Sequence, residues 1–197
     1  MQPLETNGFL DSDIQQTITG FRKRYSEWFG LSDEVNRYCH QLMHNLDVHS
    51  GDMEEVIVAT LYLRSMEIFQ GAIILAERGL TAPAKMLARC IFDSTFPLCA
   101  ISNDTNGRYY KEYIQNDLIN RKKSTNKYKK LSNADEKHIP ELEKLESEIS
   151  HEIDKEDIKE RKTIYWAEQA GLTNWYHSVY STLSNSVTRV SEIWSNI

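Results

Sequence analysis

The feature of this sequence that most limits its fold is the three- and four-residue spacing of its apolar side chains. The first such row consists of Ile14, Ile18, Phe21, Tyr25 and Trp28, and the last consists of Tyr176, Tyr180, Leu183, Val187, Val190 and Trp194. This spacing places side chains on one face of an α-helix. Glycine and proline, which interrupt helices, number only 8 and 4 among 197 residues. The sequence therefore predicts an all-α protein, one helical domain over residues 1–197 built as a bundle of about six to seven helices.

Local signals predict where several of these helices begin and end. Gly30 predicts the end of the first helix, and Ser32 predicts the N-cap of the second. The second helix is expected to bury one stripe, made of Val35, Cys39, Leu42 and Leu46. Gly79 predicts the end of a third helix that starts near Met53, because glycine readily adopts the left-handed conformation found after many helices.

Residues 108–162 predict a long charged helical hairpin, with arms at 108–132 and 140–162. Residues 121–130, RKKSTNKYKK, hold six basic and no acidic side chains, whereas 135–160 hold eleven acidic side chains and four lysines. Oppositely charged arms that lie side by side neutralise each other. We therefore favour a solvated hairpin over the alternative, in which Lys122, Lys123, Lys129 and Lys130 bind the phosphates of a nucleic acid.

The bulk composition narrows the class of protein. The net charge of −6 argues against a protein that coats nucleic acid generally. Three cysteines without a CxxC pair favour a reducing compartment, and no motif for a metal or cofactor is present. The N-terminus lacks a basic region followed by an apolar run, and the apolar stretches at Ile68–Ala76 and Phe96–Ile101 are too short to span a bilayer. These features predict a soluble cytoplasmic protein without a cofactor and without a membrane partner.

Four charges interrupt the apolar stretch from Tyr62 to Ile101. Arg64 and Glu67 are three residues apart on one predicted helix, and Arg89 and Asp93 are four apart on the next. A short turn forces the two helices to pack antiparallel, which brings the two pairs roughly level. The sequence predicts a buried cluster of alternating charge. It serves either as structural ion pairs or as a site in which one arginine binds a small anionic ligand.

Two stretches carry a family resemblance. Arg64 to Asp93 resembles the pattern of domain of unknown function 5677, with an arginine in one helix, a Leu-rich stretch, a Gly-Leu turn and then Arg-x-x-x-Glu. TIYWAEQAGLTNWYHSVYSTLSNSVT at 163–188 resembles the C-terminal helix of that family, Tyr-x-x-x-Tyr-x-x-Leu-Ser followed by Val-His, and adds Tyr180, Ser184 and Thr188 to the polar cluster. Asp93 replaces the family's glutamate, and Thr188 replaces its histidine.

The resemblance implies an all-α fold akin to the nucleotide-binding and RNase superfamily of higher eukaryotes and prokaryotes. It also implies a setting in bacterial or phage defence. Because Thr188 removes a titratable histidine, we expect a non-catalytic binding or interaction protein.

The alternative is an RNase-like enzyme of that superfamily. Arg37 and His44 have the spacing of an arginine–histidine nuclease motif, although about one such pair is expected by chance in a chain with this many arginines and histidines. His40 and His44, one helical turn apart, could contribute to a metal site but lack a third ligand in the sequence.

A stripe of small polar residues on the last helix permits the close approach of another helix. Its members are His177, Ser181, Ser184, Thr188, Ser191 and Ser195, and Trp194 lies near the chain end beside them. The sequence therefore predicts a protein partner, most simply a second copy in a homodimer.

Overall fold

The computed structural model of the chain describes residues 8–10, 14–130 and 138–188. Within these ranges the chain forms helices and no strand, which confirms the all-α prediction. The helices are α1 (Ile14–Arg24), α2 (Ser26–His44), α3 (Met53–Glu77), α4 (Thr81–Ser102), α5 (Tyr109–Lys129), α6 (Ile139–Lys155), α7 (Thr163–Gln169), α8 (Thr173–Trp175) and α9 (Ser181–Thr188). A π-helical turn, Tyr176–Tyr180, joins α8 to α9, and we call this continuous run the C-terminal helix.

The centre of the fold is the antiparallel pair formed by α3 and α4. Asp52 caps α3, since its Oδ1 accepts hydrogen bonds from the backbone N–H groups of Glu54 and Glu55 at 2.9 and 3.2 Å. Gly79 follows α3 with a φ of 82°, the left-handed conformation that the sequence predicted. The two helices approach closely at Gly71, where an added Cβ would lie 3.0 Å from Leu87 Cδ1.

The predicted boundary between the first two helices is wrong. The interruption falls at Tyr25, and Gly30 and Ser32 both lie inside α2, where the Ser32 hydroxyl donates to the carbonyl of Trp28 at 2.9 Å. A glycine inside a helix costs only about 1 kcal/mol, which the burial of its neighbour Phe29 against the bundle can offset.

Helices α5 and α6 pack against each other in the region predicted as a charged hairpin. The second arm ends at Lys155, short of the predicted position 162. Residues 156–162 instead form an irregular segment that returns along α5, with the backbone N–H of Arg161 donating to Asn116 Oδ1 at 2.9 Å.

The hydrophobic core lies between α4, α7 and the C-terminal helix. Phe96 and Ala100 of α4 are completely buried, and they pack against Trp166, Ala167 and Tyr180. Helix α7, which contributes two of these residues, was not distinguished by the sequence reasoning, because its seven residues are too short to display a full apolar period.

Helix α3 extends well beyond the apolar run Ile68–Ala76 and is apolar over most of its 25 residues. By length and composition alone the whole of α3 could cross a membrane, although the apolar stretch Ile68–Ala76 within it is too short to do so by itself. In the fold α3 contacts α1, α2, α4 and α5, so it is the central helix of the bundle. It also carries Arg64 and Glu67 near its middle, where each charge would be costly in a bilayer.

Candidate functional site

One polar network joins α4 to the C-terminal helix. Arg89 Nη2 donates a hydrogen bond to the Tyr180 hydroxyl at 2.9 Å, and that hydroxyl donates to Asp93 Oδ1 at 3.0 Å. Thr163, at the start of α7, donates to the same Asp93 oxygen at 3.4 Å. The direct Arg89–Asp93 ion pair is long, 3.9 Å. Tyr180 is therefore the bridge between the two charges, and the network ties three helices together.

A π-helical turn presents Tyr180 to this network. The turn inserts an extra residue into the helical repeat, and the Ser181 hydroxyl donates to the Tyr176 carbonyl, five residues earlier, at 2.8 Å. The rings of Tyr176 and Tyr180 stack with centroids 5.0 Å apart, and Phe96 packs against both. Single π turns are frequent at functional sites, and this one aims a phenol at a charged pair.

Arg89 retains unused hydrogen-bonding capacity. Its Nε is buried and has no hydrogen-bond partner in the described ranges, and its guanidinium lies over the Tyr180 ring, 5.3 Å from the ring centroid. The hydrogen bond to Tyr180 raises the Arg89 pKa, so the side chain stays cationic. The geometry suits either a structural clamp or a partly filled anion site.

The predicted four-charge cluster does not form. Arg64 and Glu67 are exposed, and among the described residues neither makes an ion pair or hydrogen bond with Arg89 or Asp93. Arg64 instead lies near Tyr113 of α5: burial raises the pKa of that phenol, and the Arg64 charge opposes the rise. The Gly71–Leu87 contact shows that the two pairs lie at about the same height along the α3–α4 pair, as predicted. The two helices nevertheless point the pairs in different directions.

The other members of the predicted cluster lie on α9. Ser184 is partly buried one turn after Tyr180. Thr188 is the last residue of α9, and its side chain lies outside the described part of the chain, as does Trp194.

A second network, which the sequence reasoning missed, surrounds Glu112 of α5. This largely buried carboxylate accepts from Arg108 at 2.7 Å, Arg161 at 3.0 Å and the Tyr165 hydroxyl at 2.5 Å. Burial alone would raise the Glu112 pKa, but these hydrogen bonds and the nearby Arg161 charge outweigh it and lower the pKa. Burial and the bond to Glu112 raise the pKa of Tyr165 to about 12. The spacing of Arg108 and Glu112, four residues apart, could have indicated their pair. Nothing in the sequence indicated Arg161 and Tyr165, because they come from a distant segment.

The predicted nuclease and metal residues on α2 are not brought together. Arg37 and His44 are exposed, and neither has a partner among the residues that the structure describes. His40 Nε2 lies 2.8 Å from Gln70 Nε2 on α3, whereas His44 is exposed. The described ranges contain no group of histidine, cysteine and carboxylate side chains able to hold a metal ion.

Two of the four predicted phosphate-binding lysines are engaged within the protein. Lys123 pairs with Glu160 at 2.6 Å, and Lys129 pairs with Glu146 at 2.7 Å. The Lys122 charge also acts on Glu146, whose pKa is lowered chiefly by its hydrogen bond with Lys129. The carboxylates of the predicted hairpin region thus offset much of its positive charge. This favours a solvated hairpin over one that binds the phosphates of a nucleic acid.

Helix α2 presents an exposed apolar row that the sequence reasoning had placed inside. The row consists of Trp28, Leu31, Val35, Tyr38 and Leu42 on the helix and Leu46 just after its end, which are all between 40% and 71% exposed. The expectation that Val35, Leu42 and Leu46 are buried is therefore wrong. The face toward α3 is a neighbouring one that carries Phe29, Asn36 and His40.

Part of the row, Trp28, Val35, Leu42 and Leu46, runs along one wall of an open groove, whereas Leu31 and Tyr38 do not line it. Helix α3 forms the floor with Tyr62, Met66, Phe69 and Ile73, and α4 forms the opposite wall. Three adjoining cavities of about 420, 230 and 350 Å³ follow the groove from Trp28 past Val35 to Leu46. The groove is lined mainly by apolar side chains, and its shape suits an additional helix.

Comparison with protein families gives one match. The model of a family of unknown function (DUF5677) matches residues 55–187, from the start of α3 almost to the end of α9. No curated protein and no solved structure matches the chain. The matched region contains both networks described above, and α1 and α2 precede it.

Proposed function

This chain belongs to the family of unknown function DUF5677, and we propose that it acts by binding a protein partner through the outer face of α2 rather than by catalysis. The observation that carries the proposal is the exposed apolar row of α2. Five large side chains of α2 repeat at intervals of three and four residues beside an apolar groove, and Leu46 follows just after the helix. Contiguous exposed apolar surface of this kind marks interaction sites on soluble proteins.

The polar network around Tyr180 supports the same proposal in a different way. It fastens the C-terminal helix to α4 and α7, on the side of α4 that carries Phe92 and Phe96. The groove uses the other side of α4, which carries Ile91, Thr95 and Leu98. A rigid scaffold on one side and an open apolar face on the other are the two parts that an interaction module needs.

The catalytic alternative and the biological setting stay predictions. An RNase-like reaction would require Arg37 and His44 to act on one substrate, and both side chains are exposed on α2. A place in a bacterial or phage defence module follows only from the family resemblance, and the identity of the neighbouring genes would test it.

Site-specific photo-cross-linking in the cells that produce the protein tests the proposal. A benzophenone side chain replaces Tyr38, which lies on the apolar row, or Tyr128, a similarly exposed tyrosine on α5 that serves as the control. We expect ultraviolet light to produce a discrete adduct from position 38 and none from position 128. Absence of any adduct from position 38 would refute binding at this face.

A second candidate function is the binding of a small anion by Arg89. It is favoured by the buried Nε without a partner and by the length of the Arg89–Asp93 pair. Titration calorimetry with inorganic phosphate is the direct test. Binding that is lost in Arg89→Gln but retained in Tyr38→Phe would support this candidate, and no heat of binding in the wild type would eliminate it for phosphate.

A further inference from the structure

We propose that the occupant of the α2 face is α2 of a second copy of this chain, packed antiparallel in a two-fold symmetric dimer. This inference rests on the proposed function and names the partner of the same surface. Its basis is the spacing of the apolar row, the distribution of charge beside that row and the lack of partners for those charges within the described chain.

The spacing of the row is that of a coiled-coil seam. Trp28, Leu31, Val35, Tyr38 and Leu42 follow intervals of three, four, three and four residues, a period of 3.5 that keeps the side chains facing one neighbouring helix. From Trp28 to Leu42 the seam extends for about 21 Å of the 19-residue helix. A helix that packs only within its own bundle needs a broader apolar stripe with a period of 3.6 residues. On α2 the side that packs in the bundle is a different face, the one that carries Phe29.

The row is complementary to itself when reversed. In an antiparallel pair centred between Val35 and Tyr38, Leu31 lies against Leu42 of the second copy, and Val35 lies against Tyr38. Four of the five row members on α2 find an apolar partner in this register, and each pair occurs twice because of the symmetry. Trp28 lies opposite Asn45, at the end of the partner helix.

The charges beside the seam fix its direction. On the solvent side of the row the first half of α2 carries Glu27 and Glu34, and the second half carries Arg37 and His44. All four side chains are exposed, and none has an ion-pair partner among the described residues. Antiparallel packing brings Glu34 within about one turn of Arg37 of the second copy and Glu27 within about one turn of His44. In a parallel pair the acidic first halves of the two α2 helices would lie side by side, and so would the basic second halves. Like charges would then repel along the whole seam.

Sedimentation equilibrium of the purified full-length chain tests the dimer. We expect a mass of twice 22.9 kDa at tens of micromolar. Leu31→Lys and Tyr38→Lys, both at exposed positions, should each raise the dissociation constant about tenfold or more, because each variant places a charge in an apolar layer twice per dimer. Tyr128→Lys on α5 is the matched control and should leave the dissociation constant unchanged.

Charge reversal tests the direction. Glu34→Lys and Arg37→Glu alone should each weaken the dimer about threefold to tenfold, and the double variant should restore it. In a parallel pair each charge would lie beside its own copy, and reversing its sign in both copies would leave the repulsion unchanged. Single variants that leave the dissociation constant unchanged, or a double variant that fails to restore it, would therefore overturn the antiparallel arrangement. Far-ultraviolet circular dichroism checks that every variant keeps its helical content.

The outcomes separate this inference from the proposed function. A chain that remains monomeric at about 100 µM, or a dimer indifferent to both lysine variants, overturns the inference. If position 38 nevertheless cross-links to a different protein in cells, binding at the α2 face stands and only the second-copy assignment fails. If position 38 forms no adduct, both fail.

Discussion

The C-terminal helix and α2 each carry a row of large apolar and aromatic side chains at helical spacing, but within the described residues only the C-terminal row packs against the core. Tyr180 is buried, and it and Tyr176 pack against Phe96 of α4. On α2, Trp28 and Tyr38 remain 71% and 62% exposed. The rows are similar in composition, so the difference lies in what packs against each helix.

The two helices differ in which face packs against the rest of the bundle. The C-terminal helix lies across α4 and is held there by specific polar bonds, in which the Tyr180 hydroxyl contacts both Arg89 and Asp93. Helix α2 packs on α3 with a face that carries Phe29, Asn36 and His40, one residue further along the helix than the row. One residue is a rotation of about 100°, enough to turn a whole apolar row from the core to the solvent.

Truncating one aromatic residue from each region should give the largest contrast. Phe96→Ala removes a completely buried ring and should lower the free energy of unfolding by about 3–5 kcal/mol. Trp28→Ala should change it by less than about 0.5 kcal/mol, because that ring is mostly exposed. Urea unfolding at a protein concentration well below dimer formation measures both. Similar losses in the two variants would contradict the contrast drawn here.

Removing one hydroxyl from each region should show the same contrast with a smaller loss of stability. Tyr180→Phe deprives Asp93 of its nearer donor and Arg89 of its hydrogen-bond acceptor, so we expect a loss of about 1–2 kcal/mol. Tyr38→Phe, at an exposed position, should be close to neutral. Thermal unfolding of the two variants beside the wild type gives the comparison. A neutral Tyr180→Phe would mean that the network adds no stability.

The Glu112 network should make the buried part of the bundle sensitive to acid. The lowered Glu112 pKa means that the folded state binds this proton less readily than the unfolded state. Its contribution is therefore present above the ordinary carboxyl pKa of about 4 and is lost as the pH falls through the lower folded value.

Glu112→Gln should consequently flatten the acid side of the stability profile, whereas Glu168→Gln, an exposed position on α7, should not. Urea unfolding across neutral to acid pH measures the slope. An unchanged slope in Glu112→Gln would show that other groups control acid unfolding.

The smallest effect is expected on the exposed hairpin. Lys123→Ala breaks the pair with Glu160, whose two side chains are both about half exposed, so solvent already weakens it. We expect the melting temperature to fall by no more than about 2 °C. A larger fall would mean that the hairpin charges stabilise the fold as strongly as the buried hydroxyl of Tyr180 does.

Several elements were predictable because their signals are local. The antiparallel pair of α3 and α4 followed from the apolar run, Gly79 and the shortness of the turn, and Gly79 has the conformation expected of it. The Arg89–Asp93 pair also followed, since residues four apart on a helix face the same way. The boundary at Gly30 failed because glycine weakens a helix without ending it when neighbouring side chains pack well.

The rest of the site depended on partners that are distant in sequence. Nothing near Arg89 indicates that Tyr180, ninety-one residues later, is its partner. Likewise, Glu112 and Arg161 meet only because the chain returns along α5 after α6. Contacts of this kind depend on how far each helix is rotated about its axis, and an error of one residue redirects every side chain.

The sequence by itself determined that this chain is helical, where most of its helices lie and which family it resembles, because helix formation depends on neighbours three and four residues away. Only the tertiary structure decided that Tyr180 of the C-terminal helix is covered and that the row on α2 is open. It also decided that Arg64 and Glu67 are separated from Arg89 and Asp93. The physical reason is that a helix has several faces of comparable apolarity. The packing of all the helices together selects which face is buried.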